Sequence, residues 1–279
     1  MLTTDQKQRY AEEGFLVLPD FKSARQLAPV LQRTQEIVEA FDANSTRSIF
    51  TTQEQTRSID RYFLDSANRI RCFFEEEAFD ANGALRQDKA LSINKIGHAL
   101  HDLDPVFEAF SRTPELHALA LDLGLQVPQI WQSMVIFKQP GIGGEVGWHQ
   151  DATYFHTTPE TVTTFWFALE DATLDNGCLW VQKGGHRSPL RELFVRDGDQ
   201  ISMQKLDTQA WPTLQDGSAI EVAAGTLVVF HGRLPHYSAA NRSDRSRLAY
   251  TLHVTDGRAR YSPGNWIQRG PEFPVRGFV

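Results

Sequence analysis

A histidine and an aspartate two residues apart, His149-Gln150-Asp151, follow a glycine-rich stretch, Pro140-Gly141-Ile142-Gly143-Gly144. In extended backbone, residues i and i+2 point to the same face. This imidazole and carboxylate can therefore converge on one cation with Gln150 turned away. Alone, an H-x-D tripeptide also arises as a surface histidine beside a solvated aspartate, so a third ligand is needed. The segment Gly225-Thr226-Leu227-Val228-Val229-Phe230-His231-Gly232-Arg233-Leu234-Pro235-His236 reads as a turn, an apolar strand and two candidates, His231 and His236. Two histidines and one carboxylate on one face of an octahedron leave three positions open, the arrangement that suits non-haem Fe(II) chemistry with O₂. Arg247, beyond His236, offers the guanidinium fork that would hold a dicarboxylate cosubstrate through one carboxylate.

Other polar residues have plainer readings. His98 and His101 lie near Lys95 and divide between a pocket-lining and a structural role; His186, after two glycines, reads as a packing or hydrogen-bonding residue. His117, His156 and His253 read as ordinary histidines, and Trp131, Trp148, Trp180 and Trp211 as core or rim aromatics. Arg245 would face the same side of a strand as Arg247 and competes with it.

Elements that could position this set are visible on both sides of it. Thr3-x-x-Gln6 is a capping box for a short helix stopping at Gly14, followed by a buried strand, Phe15-Leu16-Val17-Leu18. Ser23-x-x-Gln26 opens a second helix whose Leu27, Val30, Leu31, Thr34, Ile37, Val38 and Phe41 recur at helical spacing. Thr113-Pro114 starts another that ends before Gly124. From about residue 129 the texture becomes β-branched and aromatic, with strands expected at 129–138, 162–168, 178–182, 225–231 and 248–254. The expected fold is mostly β with supporting α-helices: a double-stranded β-helix (jelly-roll or cupin-like) core over 129–260, flanked by helical and pocket-lining segments in 1–128, all one domain of 1–279. Residues 42–62 and 191–219 are long and polar and read as substrate-covering loops.

Composition narrows the chemistry. Of 279 residues, 41% are hydrophobic, enough for a real core. Only two cysteines, Cys72 and Cys178, rule out a disulfide scaffold or a four-thiolate metal site, so any metal must use histidine and carboxylate ligands. A net charge of −7 without Lys/Arg blocks argues against nucleic acid as partner. No apolar run approaches a membrane span, and no signal peptide is apparent, so a soluble cytoplasmic protein acting on a small-molecule substrate is expected, with its oligomeric state unreadable. Arg57, Arg61, Arg69 and Arg71 read as a solvated face rather than a phosphate-binding patch.

The chain resembles the phytanoyl-CoA dioxygenase family, and more closely its phytanoyl-CoA dioxygenase domain-containing branch. The likeness runs through Gly14-Phe15-Leu16-Val17-Leu18, Ser92-Ile93-Asn94-Lys95-Ile96-Gly97-His98, Gln132-Ser133-Met134, Phe137-Lys138-Gln139-Pro140, His149-Gln150-Asp151, Asn176-Gly177-Cys178-Leu179-Trp180, Gly184-Gly185-His186, His231-Gly232 and Asn241 through Arg247. This resemblance implies an Fe(II)/2-oxoglutarate-dependent dioxygenase using O₂, with His149, Asp151 and His236 as the iron ligands and His236 selected over His231. It implies Arg247 as partner of the far carboxylate of 2-oxoglutarate, and Lys95, Met134 and Trp166 as lining of the cosubstrate pocket. The carboxylate at 151, which halogenating relatives replace by a small residue, points to hydroxylation. The implied reaction is oxidation of an aliphatic C–H bond of a small organic substrate, coupled to decarboxylation of 2-oxoglutarate to succinate. An acyl-CoA thioester hydroxylase, a cupin-like metalloenzyme without 2-oxoglutarate, and a metal-binding module without turnover are the alternatives.

Overall fold

A computed structural model describes residues 2–43, 48–49, 61–198 and 200–279, and among these two antiparallel sheets face each other across an apolar interior. Arg57 and most of the polar stretch 42–62 lie outside the described residues. The larger sheet joins β1 (Phe15–Leu18), β2 (Ile70–Phe74), β3 (Ile93–His98), β4 (Pro128–Lys138), β7 (Thr163–Ala168), β12 (Leu227–His231) and β14 (Arg247–Asp256) in the order β1-β12-β7-β14-β4-β3-β2. The smaller joins β5 (Val146–His149), β8 (Leu179–Val181), β11 (Ser218–Ile220) and β13 (His236–Ser238) in the order β11-β8-β13-β5. The fold is mostly β with a jelly-roll core, as expected.

The period of two along each strand sorts the side chains. On β14, Tyr250, Leu252 and Val254 join Phe165, Phe167, Leu227 and Val229 against helical residues such as Leu27, Val30, Phe107 and Leu116. The opposite face of the same strands carries Trp166, Ala168, Val228, Phe230 and Ala249, which pack on Leu179, Val181 and Ile220 of the small sheet. One face is therefore bolted to the helices, while Arg247, Thr251 and His253 share the other with Ala249.

The helices follow their start and stop signals. In α1 (Thr4–Glu13) the Thr3 hydroxyl accepts from the Gln6 N–H at 3.2 Å while the Gln6 side chain accepts from the Thr3 N–H, and Gly14 ends the helix at φ 85°. That glycine is required twice over, because a Cβ there would lie 2.4 Å from His186 Nδ1. Helix α2 (Ala24–Ala40) buries Leu27, Val30, Thr34 and Val38 as one stripe. Two short helices, α3 (Arg61–Leu64) and α4 (Leu100–Leu103), precede α5 (Pro105–Ser111) and α6 (Pro114–Asp122), each of the latter with proline in its first turn.

Two expectations are revised. The large sheet draws β1, β2 and β3 from before residue 129, because Phe15–Leu18 pairs with β12 at one edge and the β2–β3 hairpin extends β4 at the other. The stretch 191–219 is not simply a loop: β9 (Glu192–Asp197) and β10 (Gln200–Lys205) form a hairpin, and β11 begins at Ser218. Phe194 pairs with Met203 across it, and both pack with Phe155 and Trp266. Interleaved charges on the other face disguised that alternation in the sequence.

Candidate metal and cosubstrate site

Strand pairing brings the two histidines together. His236 on β13 is the direct cross-strand partner of His149 on β5, with ring centroids 4.0 Å apart. Gln150 stays extended (φ −125°, ψ 131°), which sends Asp151 back to the face of His149. Its amide is anchored away from the site, donating to the Arg233 and Pro189 carbonyls and accepting from the Arg191 N–H. Potential ligand atoms of His149, Asp151 and His236 consequently lie within 4.8 Å of one another, and each imidazole Nε2 is 3.7 Å from Asp151 Oδ1. Two ligands of one cation with bonds of about 2.0–2.2 Å sit roughly 3–4 Å apart, so this donor set fits a single divalent ion.

Each ligand is braced from behind. His149 Nδ1 donates to the Gly147 carbonyl at 2.8 Å and His236 Nδ1 to the Leu234 carbonyl at 3.0 Å, both two residues upstream. A proton held on Nδ1 leaves Nε2 as the metal-binding nitrogen of the neutral ring. Asp151 is buried, and its Oδ2 accepts from the Thr164 hydroxyl at 2.5 Å while His253 Nε2 lies 3.4 Å away. Burial by itself would raise this carboxyl's pKa; the imidazoles of His236, His253 and His149 outweigh it and hold the pKa well below the carboxylate range. Thr164 and His253 thus point Oδ1 at the histidines. Thr164→Val, which keeps the shape and removes the hydroxyl, is expected to weaken Fe(II) or Mn(II) binding roughly 10–100-fold by titration calorimetry.

Arg247 begins β14, is 2% exposed, and its Nε and Nη1 have no hydrogen-bond partner among the described residues. Burial pulls its pKa down to about 10, which still leaves it charged at neutral pH. A buried guanidinium without a hydrogen-bonded anion, with Glu75 and Glu170 acting only from a distance, is costly and invites one from outside. Its Cζ lies 5.7 Å from the centre of the Trp166 ring. Arg245, its competitor, is exposed.

Cross-strand register sets the order of residues along the inner face. Arg247 pairs with Lys138; Ala249 is level with Ile136, Lys95 and Ala168; Thr251 is level with Met134 and Trp166; His253 is level with Gln132 and Thr164, beside Asp151. Lys95 and Met134 therefore stand between the arginine and the carboxylate. A cavity of about 260 Å³ is walled by these two, by His149 and Asp151, and by aromatic side chains beyond them; Trp166 and Arg247 are not among its walls.

The remaining histidines separate cleanly. His231 is absent from the cluster: its Nδ1 accepts the Arg233 N–H at 3.0 Å, and burial, with His186 and Arg233, pulls its pKa down to about 4. Because the folded pKa lies below the ordinary 6.5, the unfolded chain binds more protons between those values. His231 thus contributes stability that is complete above pH 6.5 and lost as pH falls through 4. His231→Gln is expected to flatten that acid limb by up to about 3 kcal/mol in urea titrations at pH 7 and pH 4.5. His186 Nε2 donates to the Ala11 carbonyl of α1 at 3.2 Å. His101 is sealed between Ser133, Asp102 and the Ile130 carbonyl, whereas His98 lines the cavity.

Two contributors were missed by sequence reasoning. His253, taken as ordinary, sits against Asp151; its position six residues after Arg247 on one strand, hence on the same face, was the available signal. Lys138 is buried, and Nζ donates to the carbonyls of Gly144, Ser238 and Ala239, tying the segments next to β5 and β13 to β4. A lysine inside an apolar strand, Pro128–Lys138, was its signal.

Residues 10–249 match the profile of the phytanoyl-CoA dioxygenase (PhyH) family. The phytanoyl-CoA dioxygenase of Arabidopsis thaliana is 44% identical over 271 residues, covering 96% of this chain and 94% of that protein. Phytanoyl-CoA dioxygenase domain-containing protein 1 of Mus musculus is 43% identical over 284 residues, covering 98% and 97%. Among solved structures, the non-heme alpha ketoglutarate dependent carbocyclase SnoK from nogalamycin biosynthesis shares the fold, with a TM-score of 0.65 at 20% identity over 99% of this chain and 96% of that one. With a matched segment that spans both histidine-bearing strands and ends inside β14, the chain belongs to the phytanoyl-CoA dioxygenase family and is a dioxygenase.

Proposed function

We propose that the protein hydroxylates an aliphatic C–H bond of a small organic substrate, with His149, Asp151 and His236 holding iron and Arg247 holding the far carboxylate of 2-oxoglutarate. The observation that carries this reading is the buried Arg247, whose Nε and Nη1 have no hydrogen-bond partner among the described residues, on the same strand face as His253, which packs against Asp151. Lys95 and Met134 would flank the cosubstrate between those ends, and Trp166 would close the Arg247 end.

Iron, 2-oxoglutarate and O₂ together supply the oxidation, releasing succinate and CO₂ and delivering one oxygen atom to the substrate. The chain's own residues do the rest. Gly147 and Leu234 carbonyls accept from Nδ1 of His149 and His236, so each ring is turned with its Nε2 toward the cluster. Thr164 orients Asp151 while the neighbouring imidazoles keep it ionised, and the carboxylate would fill the position that a halide would need. Aromatic walls exclude water from the bond to be broken. The test is a metabolite-pool screen by mass spectrometry for a +16 Da product that requires Fe(II) and 2-oxoglutarate, with Asp151→Ala as the blank. Succinate without any such product under every condition counts against hydroxylation; no succinate counts against the whole reading.

A further inference from the structure

Beyond the row that contains Asp151, the cavity changes character. Toward Arg247 it has Lys95 and Met134, the half assigned above to the cosubstrate; on the other side its walls include Phe63, Phe155, Phe194 and Trp266. Gln132 and Glu192 face that aromatic half, where His98 and Tyr154 also line the cavity against Phe63, Trp266 and Phe194. Gln132 is 4% exposed, lines the cavity, and its amide makes no hydrogen bond among the described residues. Glu192, at the start of the β9–β10 hairpin, lines it too and forms no ion pair there. Its cross-strand partner Lys205 is exposed, and its neighbour Arg191 is turned onto the Trp211 ring at 4.7 Å with Nη1 on the Ala210 carbonyl. Lys95, the cation among the described cavity walls, is level with Ile136, four residues from Gln132 along β4, or roughly 13 Å.

We infer that this half is a subsite for a protonated amine: the substrate is a small molecule with an apolar body and an ammonium group, read by Glu192, Gln132 and the aromatic faces around them. The inference rests on the oxygenase reading for the placement of the cosubstrate. A carboxylate or phosphate entering here would meet the Glu192 carboxylate, while Arg191, the neighbouring cation that feels Glu192, is turned away onto Trp211. A bare hydrocarbon would leave Gln132 and Glu192 without partners. An ammonium would donate to Gln132 Oε1 and the carboxylate while its charge lies over electron-rich rings.

The test is titration calorimetry of the anaerobic Fe(II)/2-oxoglutarate-loaded protein with benzylamine, benzyl alcohol and benzoate, which share one body and differ in head-group charge. Benzylamine is expected to bind about tenfold more tightly than the alcohol, with benzoate weakest. Glu192→Gln should remove most of that tenfold preference while leaving the alcohol within twofold, which also shows that the variant is folded. Benzylamine affinity should survive removal of iron with a chelator. Equal or tighter binding of alcohol or benzoate, no binding of any of the three, a parallel loss of amine and alcohol in Glu192→Gln, or amine binding that vanishes on chelation overturns the inference. Succinate formation is measured alongside: turnover without amine selectivity sinks the subsite alone, and amine selectivity without turnover sinks the oxygenase reading alone.

Discussion

Asp151→Ala is expected to reduce Fe(II)- and 2-oxoglutarate-dependent succinate formation by at least about three orders of magnitude, equivalent to roughly 4 kcal/mol of lost transition-state stabilisation. The carboxylate is the one anionic donor of the cluster, and both histidine Nε2 atoms lie 3.7 Å from its Oδ1. Removing it leaves two imidazoles and no anionic protein donor, and an alanine supplies nothing in its place. Metal binding by calorimetry should weaken in parallel, which separates loss of the ligand from damage to catalysis alone. Folding should persist, because His149 and His236 keep their backbone partners at Gly147 and Leu234. Succinate formation within tenfold of the parent protein would remove Asp151 from the metal site.

Arg247→Met separates affinity from stability in a less usual way. The KM for 2-oxoglutarate should rise about 100-fold, the effect of losing a charge-assisted, bidentate contact of about 3 kcal/mol. Most arginine deletions at a buried position would also destabilise the fold. Here Nε and Nη1 have no hydrogen-bond partner among the described residues, and Lys138 sits opposite on the paired strand, so a methionine of similar reach relieves a buried cation that Glu75 and Glu170 compensate only from a distance. The melting temperature without cosubstrate is therefore expected to stay level or rise, while the stabilisation by added 2-oxoglutarate disappears. A large fall in melting temperature would show that the guanidinium serves the fold rather than an external anion.

Local patterns carried much of this into the sequence itself. Thr3 and Gly14 bracket α1 because capping is a matter of neighbours a few residues apart, and the apolar runs became strands because a period of two survives in any linear reading. The H-x-D pairing was legible for the same reason: Gln150 needed only to remain extended. Spacing did not choose between His231 and His236, since both follow one apolar strand; the family resemblance favoured His236, and the fold sets His236 opposite His149 while turning His231 back under the Arg233 N–H. The β9–β10 hairpin stayed hidden because its inward residues, Phe194, Ile201 and Met203, find their apolar neighbours only from distant segments. His253 looked ordinary because what it touches lies a hundred residues away in sequence. Spacing along the chain thus determined which side chains share a face; only the pairing of β5 with β13 and of β14 with β7 decided which faces meet, because those contacts depend on strand register between segments far apart.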